Sequence, residues 1–145
     1  MTFPPEALLA AMAHCEAEYP REGCGVFVRE ASGRVSARPI ANVAPTPRTN
    51  FVLEPKELLR VFSGPEPVVC VFHSHVDADA HFSKADRTLA LADGEPVLPN
   101  VRHLVLSVRT KTVELRLFTW TGADFAEASV PMPASHQSRA TSHPG

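Results

Sequence analysis

The run Val68-Val-Cys-Val-Phe72 constrains the fold more than any other stretch of the chain. It is β-branched and aromatic without polar alternation, the pattern of a strand buried on both faces of a sheet. Such a strand needs structure packed above and below it, and the flanking sequence supplies candidates. Residues 4–19 place Leu8, Leu9, Met12 and Cys15 near helical spacing, with Pro4 and Pro5 suited to a helix start and Pro20 to its end. Cys24–Val28 and Arg34–Ile40 flank Ala31-Ser-Gly33 and predict a hairpin. Residues 42–50 form a proline-broken loop, and Phe51–Leu53 reads as extended. Pro55 opens a second helix with Leu58, Leu59 and Phe62 on one side, stopped at Ser63-Gly64-Pro65. Ser83 starts a third helix carrying Leu89 and Leu91, closed by Asp93-Gly94. Residues 103–108 and 113–120 predict a second hairpin around Thr110-Lys111. The expected class is α/β, a mixed sheet with flanking helices in one domain over residues 1–130. Residues 131–145 contain no Ile, Leu, Val or aromatic residue, so a disordered tail is expected there. Its His136 and His143 are set aside as ligands.

Charge and cysteine content narrow the function classes. The formal net charge of −2 leaves no basic footprint for nucleic acid or an anionic membrane. No apolar run approaches the roughly 20 residues of a membrane span, and the first residues lack the positive region of a secretory signal. Three cysteines, Cys15, Cys24 and Cys70, are an odd count at unrelated spacings and argue against a disulfide framework. These features together predict a cytoplasmic protein. The sequence also lacks a glycine-rich phosphate loop, so nucleotide binding has no support.

The buried run leads directly into His73-Ser-His75. Positions i and i+2 of a strand share a face, so both imidazoles aim at one spot. They do so at the C-terminal edge of the strand, where α/β proteins place their sites. Zinc in a catalytic site takes three protein ligands and keeps a fourth position open. Asp86, one turn into the third helix, suits the third place; Asp77, Asp79 and His81 are nearer but lie on the connecting loop. Ser83-Lys-Ala-Asp86 also has the spacing of a capping box, with Asp in the usual Glu/Gln place. The two readings are compatible, since a cap can hold a ligand in position.

His73-Ser-His75, seven residues, Ser83, two residues and Asp86 resemble the signature of the JAMM (MPN-type) zinc metalloproteases. Upstream, Tyr19-Pro-Arg-Glu-Gly-Cys-Gly25 is similar to that family's glutamate segment, and residues 42–62 resemble its small prokaryotic members. The likeness covers roughly residues 5–128. It implies a single-domain JAMM/MPN-like, cytidine-deaminase-like architecture. It also implies one catalytic Zn2+ held by His73, His75 and Asp86, with a water in the fourth place. Glu22 matches the general base, although spacing alone does not favour it over Glu16 or Glu18. Ser83 matches the residue that stabilises the tetrahedral intermediate. Two positions depart from the prokaryotic pattern: Val76 and Phe82 stand where many relatives carry proline. The implied activity is peptidase or isopeptidase cleavage after the C-terminal Gly-Gly of a ubiquitin-like or sulfur-carrier protein, bound through its C-terminal tail. The alternatives are a catalytically silent scaffold of the same fold, or a Cys–His protease using Cys24 with His73 or His103.

Overall fold

In the computed structural model, which describes residues 3–109 and 113–133, the apolar run lies inside a six-stranded sheet. The elements are α1 (Pro5–Glu18), β1 (Cys24–Arg29), β2 (Val35–Ile40), α2 (Pro55–Ser63), β3 (Val68–Val76), α3 (Lys84–Ala90), β4 (Leu91–Ala92), β5 (Glu95–Pro96), β6 (Arg102–Val108), β7 (Leu115–Trp120) and β8 (Phe125–Ser129). The main sheet runs β2-β1-β3-β6-β7-β8. Only the β3–β6 pair is parallel, and the other neighbours are antiparallel. The mixed α/β class read from the sequence is the class observed.

The two-residue period of the strands sorts the core into two layers. Cys70 and Phe72 of β3 join Phe27, Leu104, Leu106 and Leu115 beneath Leu8, Ala11, Met12 and Cys15 of α1. Val71 joins Cys24, Val26, Val28, Ile40 and Phe51 on the opposite face, against Leu58 and Val61 of α2. Continuing the alternation sends Ser74 to the α1 face and both His73 and His75 to the other. A side chain's choice of face is therefore settled well before the polar residues begin.

The glycines around Cys24 reflect crowding at this crossing. A Cβ on Gly25 would lie 2.5 Å from both the Arg38 carbonyl oxygen and the Phe72 ring. On Gly23 it would lie 2.9 Å from Cys15 Cα. Gly25→Ala therefore forces the sheet or the fully buried Phe72 to move. It should lower stability by about 1–3 kcal/mol in urea unfolding, and an unchanged midpoint would contradict the packing described here.

Three local expectations are revised. In α2 the inward residues are Leu58 and Val61, whereas Leu59 is 67% and Phe62 42% exposed. The third helix ends at Ala90; Leu91 belongs instead to a two-residue hairpin, β4–β5. Its turn residues, Asp93 (φ 52) and Gly94 (φ 77), both have positive φ, as an Asp-Gly type I′ turn requires. A further strand, β8, pairs with β7 at the sheet edge. Just beyond β8, Val130 and Met132 still pack against the α1 layer. Residues 134–145, with His136 and His143, and the turn residues Thr110 and Lys111 lie outside the described residues. Among the described residues, no helix is long and apolar enough to cross a membrane.

Candidate metal centre

The site forms where the C-terminal end of β3 meets the start of α3. Ser83 is the N-cap of α3: its Oγ accepts the Asp86 N–H at 3.0 Å, and Asp86 Oδ2 accepts the Ser83 N–H at 2.9 Å. This reciprocal box fixes the Asp86 rotamer and points its carboxylate at the strand. Oδ2 lies 3.0 Å from His75 Nε2. Oδ1 lies 3.2 Å from His73 Nε2, but out of line for a hydrogen bond. The capping box is present, and its geometry leaves Asp86 free to serve as a ligand as well. One ligand atom from each of His73, His75 and Asp86 lies within 4.8 Å of the others, and all three residues are buried.

The donor set suits a divalent cation. His75 Nδ1 sits 2.9 Å from the Asp79 carbonyl oxygen. Donation to that carbonyl places the proton on Nδ1 and leaves Nε2 as the ligand atom, the usual outer-shell arrangement of a metal-binding histidine. His73 is wholly buried, and among the described residues neither ring nitrogen finds a hydrogen-bond partner. A buried polar group without a partner is costly, and a cation bound between these residues would satisfy one of those nitrogens. Phe51 stacks on the His73 ring at 4.2 Å and holds its plane.

The electrostatics differ between the two imidazoles. Burial lowers the His73 pKa despite the neighbouring Asp86, which favours the neutral, ligating form. Burial also opposes a charge on His75, but Asp86 and the Asp79 carbonyl outweigh it and raise its pKa. Burial works against the Asp86 carboxylate as well, yet the close approach of both imidazoles and of the Ser83 N–H holds it well below the usual carboxylate range. The acid is therefore ionised, as a ligand must be.

Glu22 reaches the same face through β-sheet register. Cys24 pairs with His73 in the antiparallel β1–β3 ladder. Two more residues along, past the Ser74 N–H to Gly23 carbonyl bond of 2.9 Å, the register sets Glu22 opposite His75. Glu22 is 4% exposed, and its Oε1 has no partner among the described residues. Burial, aided by the Asp86 charge and opposed by His75, pushes its pKa up to about 7. Glu16 instead sits on the exposed surface of α1, within ion-pair reach of Arg109. The cross-strand register, rather than sequence spacing, separates Glu22 from the other acids.

The loop alternatives add no ligand atom to the cluster, although the His81 ring meets the His75 ring edge-on at 4.8 Å. Asp77 accepts the Tyr19 hydroxyl at 3.0 Å and pairs with Arg48 at 3.5 Å. Asp79 pairs with the exposed His81 at 2.7 Å and offers the site only its carbonyl. His103 packs among Phe82 and Phe125. Cys24 is fully buried, its thiol donates to the Ile40 carbonyl, and burial pushes its pKa up to about 12. Such a thiol is a poor nucleophile, which removes the physical basis for a Cys–His protease.

Asn42 is a structural residue that the sequence did not single out. Its Nδ2 donates to the Glu22 and Asn50 carbonyls, while its Oδ1 accepts the Ala44 and Val52 N–H groups. One saturated amide thereby ties the Glu22 backbone to the loop that presents Phe51. In sequence it is merely an asparagine at the edge of a proline-rich loop.

Comparison with known proteins places this chain in a family. Residues 4–121 match the family model described as prokaryotic homologs of the JAB domain. The chain is 31% identical over 117 residues to a desampylase from Haloferax volcanii, covering 77% of this chain and 78% of that protein. It is also 38% identical over 82 residues to the tail tip assembly protein K of Escherichia phage N15, a match spanning 54% of this chain but 31% of the phage protein. A solution structure of a Desulfitobacterium hafniense protein superposes with a TM-score of 0.63 at 22% identity, covering 90% of each chain.

Proposed function

This chain belongs to the prokaryotic homologs of the JAB domain, and from that premise we propose that it is a zinc-dependent peptidase or isopeptidase. Its substrate is the bond after the C-terminal Gly-Gly of a ubiquitin-like or sulfur-carrier protein. The observation that carries this reading is the gathering of His73, His75 and Asp86 donors within 4.8 Å, beside the buried acid Glu22. The similarity to a desampylase over 78% of that protein supports a protein modifier as the substrate class. Three buried free cysteines suit a reducing compartment, and we place the protein in the cytoplasm.

His73, His75 and Asp86 would hold the zinc, which when bound acidifies a water and polarises the scissile carbonyl. The chain's own groups handle the protons. Glu22, with its pKa near 7, is matched to take a proton from water at neutral pH and deliver it to the leaving amine. The Ser83 hydroxyl accepts the Asp86 N–H and keeps its own O–H to donate to the developing oxyanion. The carboxylate is confined to the face opposite α1, so the substrate tail approaches from that face.

A ubiquitin-like domain continued past its Gly-Gly by a short extension provides the test. Zinc-loaded protein should release a product whose intact mass ends at the second glycine. An uncut fusion, in both peptide-linked and lysine-linked forms, would contradict the assignment and favour a silent scaffold.

A further inference from the structure

The helix that presents Asp86 is poorly anchored by its own residues. α3 has seven residues, of which only Asp86 and Ala90 are buried, and its Leu89 is 50% exposed. Beneath it lies a half-open pocket of about 230 Å3, lined in part by Val71, Phe82, Asp86, Leu89, Ala90 and His103. A short helix standing over a pocket cannot be positioned to a fraction of an ångström by its underside. A metal ligand nevertheless demands that precision.

The structure supplies an anchor just outside the helix. Phe82, immediately before the N-cap, stacks on Phe118 of β7 at 4.9 Å with 26° between planes. It also meets Phe125 of β8 at 4.9 Å and His103 of β6 at 5.4 Å. His103 in turn meets Phe125 edge-on at 5.6 Å. Outside this cluster, Arg87 of α3 pairs with Asp124 and lies 6.0 Å from the Phe125 ring centroid. The start of α3 is thus clamped from below by aromatic packing and from outside by an ion pair, both built on the far edge of the sheet.

We propose that this aromatic latch positions Asp86 and sets the affinity of the centre for zinc, with Phe82 as its principal positioning residue. Phe82 and Asp86 are joined through Ser83, whose backbone N–H and hydroxyl hold both ends of the Asp86 capping box. Any drift of the Phe82 backbone is passed directly to the carboxylate. Phe82 therefore restrains the entry to α3 through its ring contacts with Phe118, Phe125 and His103. Replacing Phe82 with a small residue frees the helix start over the pocket.

The inference rests on the zinc reading of the site, and the experiment separates the two. Zinc affinity is measured at low temperature by competition with a chromophoric chelator, for wild type, Phe82→Ala, Phe82→Leu, Arg87→Ala and Leu117→Ala. Phe82→Ala should weaken zinc binding by about tenfold to a hundredfold, the range seen when groups orienting a ligand are lost. Phe82→Leu should recover most of the loss. Arg87→Ala, a surface change that preserves the packed core, should weaken binding in the same direction by a few-fold. Leu117→Ala removes core packing on the α1 layer and should lower the melting temperature with zinc affinity unchanged. Cobalt(II) bound to Phe82→Ala should show altered visible bands, a signature that lost stability alone does not produce. Wild-type zinc affinity in folded Phe82→Ala would overturn the latch while leaving the centre intact. Should Phe82→Ala fail to fold, unchanged affinity and cobalt bands in Arg87→Ala overturn it alone. A wild-type chain that binds no zinc would overturn the centre itself.

Discussion

Glu22→Gln should retain its zinc and lose hydrolysis by about 10²–10⁴-fold, the usual worth of a positioned general base. Its metal-free form should also be more stable than wild type at pH 8. The second effect follows from burial. Glu22 is 4% exposed, and its pKa rises from an ordinary 4.5 to about 7 in the folded protein. Below about 4.5 the carboxyl is protonated whether folded or unfolded, and it carries no ionisation penalty. As pH rises the unfolded chain ionises first, so the folded state loses stability until the penalty is complete above about 7. At about 1.4 kcal/mol per tenfold change in proton affinity, the loss is at most about 3.5 kcal/mol. Glutamine has the same shape and no charge to bury. Urea unfolding with chelator present should therefore show an advantage for Glu22→Gln that is large at pH 8 and small at pH 4.5. Equal differences at both pH values, or full activity in the variant, would remove Glu22 from the proposed role.

Asp86→Ala should abolish zinc binding at micromolar metal. The substitution removes the carboxylate that lies 3.0 Å from His75 Nε2 and 3.2 Å from His73 Nε2. It also removes the acceptor for the Ser83 N–H, so the metal-free protein should lose about 1 kcal/mol from a weakened cap. The metal effect is larger. Loss of one of three protein ligands should cost about 4 kcal/mol of binding, a factor of roughly a thousand. Zinc at a thousandfold excess over its dissociation constant stabilises a folded protein by about 4 kcal/mol. Wild type should therefore gain a clear rise in melting temperature on adding zinc, and Asp86→Ala should gain none. An equal rise in both would place the metal elsewhere.

The central strand and the histidine pair were legible because they depend on local periodicity. The run at 68–72 is apolar without interruption, and a strand's two-residue period carries His73 and His75 to one face regardless of distant residues. The Ser83–Asp86 cap was legible for the same reason. The β4–β5 hairpin was missed because Asp93-Gly94, a strong type I′ turn signal, also reads as a helix stop. β8 was missed because Phe125-Ala-Glu-Ala-Ser129 is mostly exposed and gains its strand form by pairing with β7. In α2, Leu58, Leu59 and Phe62 read as one apolar side, but the helix turns Leu58 and Val61 toward the second core layer. Glu22 came from family resemblance alone, since its place opposite His75 exists only once β1 and β3 pair in register. The Asn42 amide and the Phe82 ring act through contacts as long as 43 residues in sequence, as from Phe82 to Phe125, and no local pattern announces them.

The most direct test of the central claim is a titration of metal-free protein with zinc while cleavage of a Gly-Gly-linked ubiquitin-like fusion is followed. The account predicts no cleavage without metal, and a rate that climbs to a plateau near one zinc per chain. A rate independent of zinc, or no cleavage at full occupancy, would contradict it.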